Sequence, residues 1–137
     1  MRGAIFLKQS TNFPHISDSE LEIMQVIWDK GGSALFADIM ADQTADNKKW
    51  KPNTVLTFLS RLVEKEAVYI VKHGRINEYV ACFTADEYLT AQTKTFLNKV
   101  FGGNAKNLVA SLLNKDYISP NEVSELEQYW KELKNNE

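Results

Sequence analysis

The feature that most narrows the fold of this chain is a change of period near its middle. From Ile16 to Glu66 the apolar residues recur at helical spacing, and from Thr84 onward they do so again. Between these stretches lie "VYIVK" and "EYVACF", two short runs rich in β-branched and aromatic residues, separated by "HGRIN" with a glycine at the bend. That pattern predicts a β-hairpin. The expected order is helix, helix, helix, hairpin, then more helices.

Local signals place the helix ends. In "ISDSELEIMQVIWDKGG", Ser17 and Glu20 form a capping box with Ile16 in the staple position. Leu21, Met24, Ile27 and Trp28 give the apolar face, and Gly31-Gly32 stop the helix. Ser33 is expected to cap a shorter helix, "ALFADIMADQ", whose apolar face is Leu35, Phe36, Ile39 and Met40. The third helix starts at "KPNT", where Pro52 suits the first helical position, and runs to about Glu66. After the hairpin, Thr84 with Glu87 and Ser119 with Glu122 are two further capping boxes.

The third helix has two faces. Advancing about 100° per residue, Val55, Phe58, Leu59 and Leu62 share one side, flanked by Leu56 and Val63. The other side carries Asn53, Thr54, Thr57, Ser60, Arg61 and Glu64. A solvated helix face is ordinarily built from Glu and Lys, which are good helix formers; Asn, Thr and Ser are poorer. Short donors and acceptors fit a surface that must enter a groove and bond phosphates or base edges. Arg61 can grip guanine in bidentate fashion or clamp a phosphate, and threonine methyls can pack on thymine methyls. A plain exposed face is the alternative.

Charge weighs on that choice. The net charge of −2 argues against nucleic acid, but Lys48 to Arg75 holds seven basic residues and two acidic ones. His15 to Asn47 holds one basic and seven acidic. Exposed charges are screened beyond about 8–10 Å, so the local balance decides what a surface attracts. Lys48, Lys49 and Lys51 stand just before the third helix, next to its free N–H groups and positive dipole end. Lys72, His73 and Arg75 mark the hairpin tip. In a winged helix-turn-helix the third helix enters the major groove and the hairpin lies along the adjacent backbone; His73 and Arg75 read equally well as plain turn residues.

The domain organisation follows. Met1 to Pro14 lacks periodicity and reads as a leader, partly ordered or disordered. Residues 15–83 form the winged helix, and 84–137 a helical region with amphipathic segments. In the latter, Leu108, Val109, Leu112 and Leu113 share one side, and Val123, Leu126, Trp130 and Leu133 another. Such faces bury themselves on the first domain or on a second copy. Phe96, Leu97, Val100, Leu108, Leu112, Val123, Leu126 and Trp130 are the candidate dimer contacts. The fold class expected is mostly α with a small β-hairpin wing.

Other classes are excluded or unsupported. No apolar run approaches the roughly 18 residues of a membrane span, and "GAIFL" is shorter than a secretory signal core. A cytoplasmic protein is expected. Cys82 is alone and His15 and His73 are far apart, so the chain cannot supply the about four ligands of a structural zinc site. No cofactor is expected. No nucleophile–base pair, glycine-rich phosphate loop or paired-carboxylate motif points to an enzyme. The alternative from another class is a winged-helix module that docks a protein instead of DNA.

"ISDSELEIMQVIWDKG", "WKPNTVLTFLSRLVEKEAV" and "KTFLNKVFGGNAKNLVASLL", in this order and spacing, resemble the BlaI/MecI/CopY family of bacterial repressors. The resemblance covers about Ile16 to Leu133. It implies an N-terminal winged helix, a C-terminal helical arm that forms a homodimer, and binding to a palindromic DNA operator that blocks transcription. The family's recognition helix typically reads K-T-I-R-T-L-I-T-R, aligned here with Asn53, Thr54, Val55, Leu56, Thr57, Phe58, Leu59, Ser60 and Arg61. The roles of Thr54, Thr57 and Arg61 carry over. Asn53 replaces a usual lysine and Leu56 a frequent arginine, which implies a different operator. With Lys51, Asn53, Leu56 and Ser60 beside them, and Lys72 and Arg75 on the wing, these are the candidate DNA contacts. Penicillinase-type members are cut by a membrane sensor protease at an Asn–Phe bond in the fifth helix; the matching bond here is Ser111–Leu112. The copper-responsive branch ends in four cysteines, and this chain ends in "KELKNNE".

Overall fold

The computed structural model describes residues 13–46 and 50–136. The elements in order are α1 (Asp18–Asp29), β1 (Ser33–Leu35), α2 (Phe36–Asp46), α3 (Pro52–Glu64), β2 (Val68–His73), β3 (Ile76–Ala81), α4 (Ala85–Phe101), α5 (Ala105–Asn114) and α6 (Pro120–Asn135). The chain divides into two compact units, one ending at Ala91 and the other starting at Gln92. Residues 1–12 of the expected leader, and Lys48 and Lys49, lie outside the described residues. Phe13 packs on Phe83, with ring centroids 4.9 Å apart.

The capping box forms as the sequence predicts. The Ser17 N–H donates to Glu20 Oε1 at 3.0 Å, and the Glu20 N–H to Ser17 Oγ at 3.2 Å. Gly31, at φ +90°, lets the chain turn back so that the Gly32 N–H reaches the Ile27 carbonyl at 3.0 Å. On α1 the fully buried apolar residues are Ile23, Met24 and Ile27, whereas Leu21 and Trp28 are half-buried. The core face is therefore rotated from the expected one and includes Ile23. Trp28 instead spends its indole N–H on the Phe83 carbonyl, 2.9 Å away.

Ser33 does not cap a helix. It opens β1, whose residues pair antiparallel with β3: Ser33 with Val80, Ala34 with Tyr79, Leu35 with Glu78. The sheet has three strands in the order β1-β3-β2 rather than a lone hairpin. Pairing with β1 satisfies backbone groups that β3 would otherwise present as an open edge. A three-residue strand is too short to show a period of two. Helix α2 begins only at Phe36, and Asp38 accepts the Leu35 N–H at 3.3 Å.

Helix α3 ends at Glu64, two residues earlier than expected. Glu66 takes φ +62°, its N–H bonds the Val63 carbonyl, and the Ala67 N–H bonds the Leu62 carbonyl at 2.9 Å. This is a Schellman ending, with Leu62 and Ala67 both buried beneath it. Strands β2 and β3 follow, in a register running from Val68–Ala81 to His73–Ile76. Their two-residue turn has Gly74 first, at φ +67°, which matches the twist of the flanking strands.

Ile23, Met24, Ile27, Ile39, Val55, Leu59, Leu62 and Val68 form the centre of the first unit. The second unit contrasts with it. Among the described residues from Gln92 onward none is buried. Among the described residues no helix is long and apolar enough to cross a membrane.

Candidate nucleic-acid interface

Helix α3 presents the predicted polar strip outward. Val55, Leu59 and Leu62 are buried, and Phe58 and Val63 are partly buried against the core. Asn53, Leu56, Thr57, Ser60 and Arg61 are exposed, and Thr54 is half-buried. The strip is thus a surface, seated on an apolar base. Thr57 Oγ1 donates to the Asn53 carbonyl at 3.0 Å. Its hydroxyl hydrogen is committed inside the helix, so toward a ligand Thr57 offers lone pairs and a methyl.

The N-terminus of α3 suits an anion. Lys51 occupies the cap position without a side-chain hydrogen bond, Pro52 follows, and the first turn holds no acid. Pro52 has no N–H and the Thr54 and Val55 N–H groups bond the Lys51 carbonyl, so the Asn53 N–H and the positive end of the helix dipole are what the helix start offers beside the exposed Lys51. Trp50 packs edge-on against Phe58 with centroids 5.1 Å apart, fixing where the chain enters the helix.

The other end of α3 is tied to α1. Lys65 Nζ lies 2.5 Å from Glu20 Oε1, and Glu20 is only 2% exposed. Burial pushes the Glu20 carboxyl up, but the Lys65 hydrogen bond, the Ser17 N–H, the lysine charge and the Ser17 hydroxyl outweigh it. The carboxyl sits below the ordinary carboxylate value. Sequence reasoning missed this pair because the capping box already accounted for Glu20, and its partner is 45 residues away.

On the wing, Lys72 and Arg75 are exposed. His73 Nε2 lies 2.8 Å from Glu78 Oε1. That contact, then the Ser33 hydroxyl, hold the Glu78 carboxyl below its usual range against a smaller effect of burial. His73 is thereby engaged within the sheet. Among the described residues, the side chains of Lys51, Arg61, Lys72 and Arg75 are held in no ion pair. Their charge is available to an outside anion. The strip sits on α3 and the wing cations on the hairpin, so the first unit carries them as two patches.

In the second unit, Phe96, Val100, Leu126 and Trp130 are exposed, Trp130 by 58%, while Leu97, Leu108, Leu112 and Val123 are half-buried. Val109, Leu113, Tyr117, Tyr129 and Leu133, outside the candidate set, are also exposed. Ser111 and Leu112 lie inside α5. Among the described residues no cluster of three or more His, Cys, Asp or Glu could hold a metal ion.

Three helices, a short strand and a basic hairpin, with the third helix turning a small-residue polar face outward, define a winged helix-turn-helix of the kind that reads DNA. The penicillinase repressor family model matches residues 16–132. The penicillinase repressor of Bacillus licheniformis is 34% identical over 122 residues, covering 89% of this chain and 94% of that protein. The methicillin resistance regulatory protein MecI of Staphylococcus aureus (strain N315) is 30% identical over 111 residues, covering 81% and 89%. A solved structure of the Bacillus licheniformis BlaI monomeric form in complex with the blaP half-operator is 32% identical, covers 56% of this chain and 92% of that chain, and has a TM-score of 0.47. The chain belongs to the penicillinase repressor family. That family consists of transcriptional repressors, not enzymes.

Proposed function

We propose that the chain is a cytoplasmic, homodimeric repressor that binds a palindromic operator, with α3 in the major groove and the wing on the neighbouring backbone. The observation that carries this reading is the outward strip of Asn53, Thr54, Leu56, Thr57, Ser60 and Arg61 on a helix whose opposite face is core. Lys51 at the helix start and Lys72 and Arg75 on the wing supply phosphate contacts on either side. Arg61 grips a base edge or a phosphate, and Asn53, Thr54 and Ser60 make the shorter contacts.

Dimerisation supplies the second half-site. A single winged helix makes only part of the contact, and joining two converts the second binding event into an intramolecular one. Two copies of α3 must then enter successive major grooves about 34 Å apart. The exposed apolar residues of α4, α5 and α6, Phe96, Val100, Leu126 and Trp130 among them, support pairing of two tails. By family analogy, a membrane sensor protease that cuts at Ser111–Leu112 would release the dimer. That bond lies within helical backbone, so the segment must unwind before it can be cut.

The test is a mobility-shift titration of the full chain on the DNA upstream of its own gene, repeated at several salt concentrations. Each phosphate neutralised contributes a slope of about −0.9 in log affinity against log salt. A steep slope and an inverted repeat under the footprint are expected. Absent binding, or binding indifferent to salt, would falsify the proposal.

A further inference from the structure

Within the α3 strip one side chain differs in kind. Leu56 is 40% exposed, although it follows buried Val55 and lies on the helix border next to the polar face. Its exposed neighbours Asn53, Thr57 and Ser60, three residues, one residue and one helical turn away, are all polar, and Thr57 and Ser60 are also shorter. Lone exposed leucines are common on protein surfaces and by themselves signify little. This one stands on the face that, on the reading above, enters the major groove.

The chemistry of the groove then leaves a single fit. Adenine, guanine and cytosine present acceptors and amino donors there, and thymine alone adds an apolar group, its C5-methyl. A leucine can bond none of the polar groups. Against any of them it displaces water without replacing the hydrogen bonds, which is unfavourable. Against the methyl it buries apolar surface on both sides.

We infer that Leu56 is a specificity-determining residue that selects thymine at one position of each operator half-site, through the C5-methyl group. The inference rests on the DNA-binding reading above. Removing that methyl, by placing deoxyuridine for thymidine without touching base pairing, costs about fourfold in affinity per half-site, and about fifteenfold when both are changed.

The experiment takes the full chain and a duplex recovered from a random-sequence pool by repeated selection. Each thymine is replaced by deoxyuridine in turn, and binding is measured for the native protein and for Leu56→Ala. One position per half-site is expected to show the fourfold loss with the native protein and none with Leu56→Ala. Leu56→Arg, a second variant, is expected to move the preferred base there to guanine. If a duplex is selected and bound but no methyl matters, or if its loss matters equally in Leu56→Ala, the thymine reading is overturned while DNA binding stands. If no sequence is enriched at all, the DNA-binding reading falls and takes this one with it.

Discussion

Lys65, one residue past the end of α3, reaches across to the buried carboxylate of Glu20 in the first turn of α1. The pair fixes the helix that carries the candidate interface against the scaffold. Removing the lysine leaves a carboxylate in the core with only its Ser17 bonds. Lys65→Ala is expected to lower stability by about 1–3 kcal/mol, less than a fully enclosed pair because Lys65 remains 31% exposed. Chemical denaturation of Lys65→Ala against Lys65→Met, which keeps most of the packing, separates the charge from the stem.

The same pair gives the first unit an acid response. The folded Glu20 carboxyl lies below its unfolded value, so the unfolded chain takes up a proton first as pH falls. Its contribution is fully present above the unfolded carboxylate range, near about 4.3, and is lost as pH falls through the lower folded value. Thermal melts between pH 7 and pH 3 are expected to show Glu20→Gln with a lower melting temperature at pH 7 and a shallower acid decline than the native chain. Parallel curves would remove Glu20 as the cause.

Glu66 is held at φ +62°, a left-handed conformation that disfavours side chains with a Cβ. Glu66→Gly relieves that strain, offset in part by the added freedom of glycine in the unfolded chain. A gain of up to about 1 kcal/mol is expected, read as a melting temperature several degrees higher. Glu66→Val, β-branched at the same φ, is expected to melt lower than the native chain.

Arg61→Ala is expected to weaken operator binding by about 1–3 kcal/mol while leaving the oligomeric state unchanged. Comparing sequence variants of the operator tells which contact Arg61 makes. A base contact relaxes the preference at one position, and a phosphate contact weakens all sequences alike and lowers the salt slope by about one. A protein-docking module would keep whatever DNA affinity it had.

Trp130→Ala in α6 tests the tail. A tryptophan that anchors an interface carries about 2 kcal/mol or more, and both copies lose one, so the dimer dissociation constant is expected to rise roughly a thousandfold. Sedimentation over a concentration series measures it. An unchanged constant would place the interface elsewhere.

The helices were legible because their boundaries are chemical and local. Ser17 with Glu20, Ser119 with Glu122 and Thr84 with Glu87 each satisfy end N–H groups within three residues. The outward strip of α3 was equally legible, because helical spacing alone separates Thr57 and Arg61 from Leu59 and Leu62. What escaped depends on partners distant in sequence. Ser33 looks like a cap until Val80 is beside it, and Glu20 looks like a capping residue until Lys65 arrives. On α1 the same spacing fits two apolar faces, Leu21 with Trp28 and Ile23 with Ile27, and only packing in the fold makes the second the core.

The third strand has a mechanical consequence for the wing. β1 reaches along β3 only as far as Glu78, so beyond it just two cross-strand pairs, Lys72–Asn77 and His73–Ile76, project before the Gly74–Arg75 bend. Arg75 therefore rides on a stub about two residues long, braced at its root from both sides. Such a short cantilever sways little, and its tip arrives at a ligand already aimed.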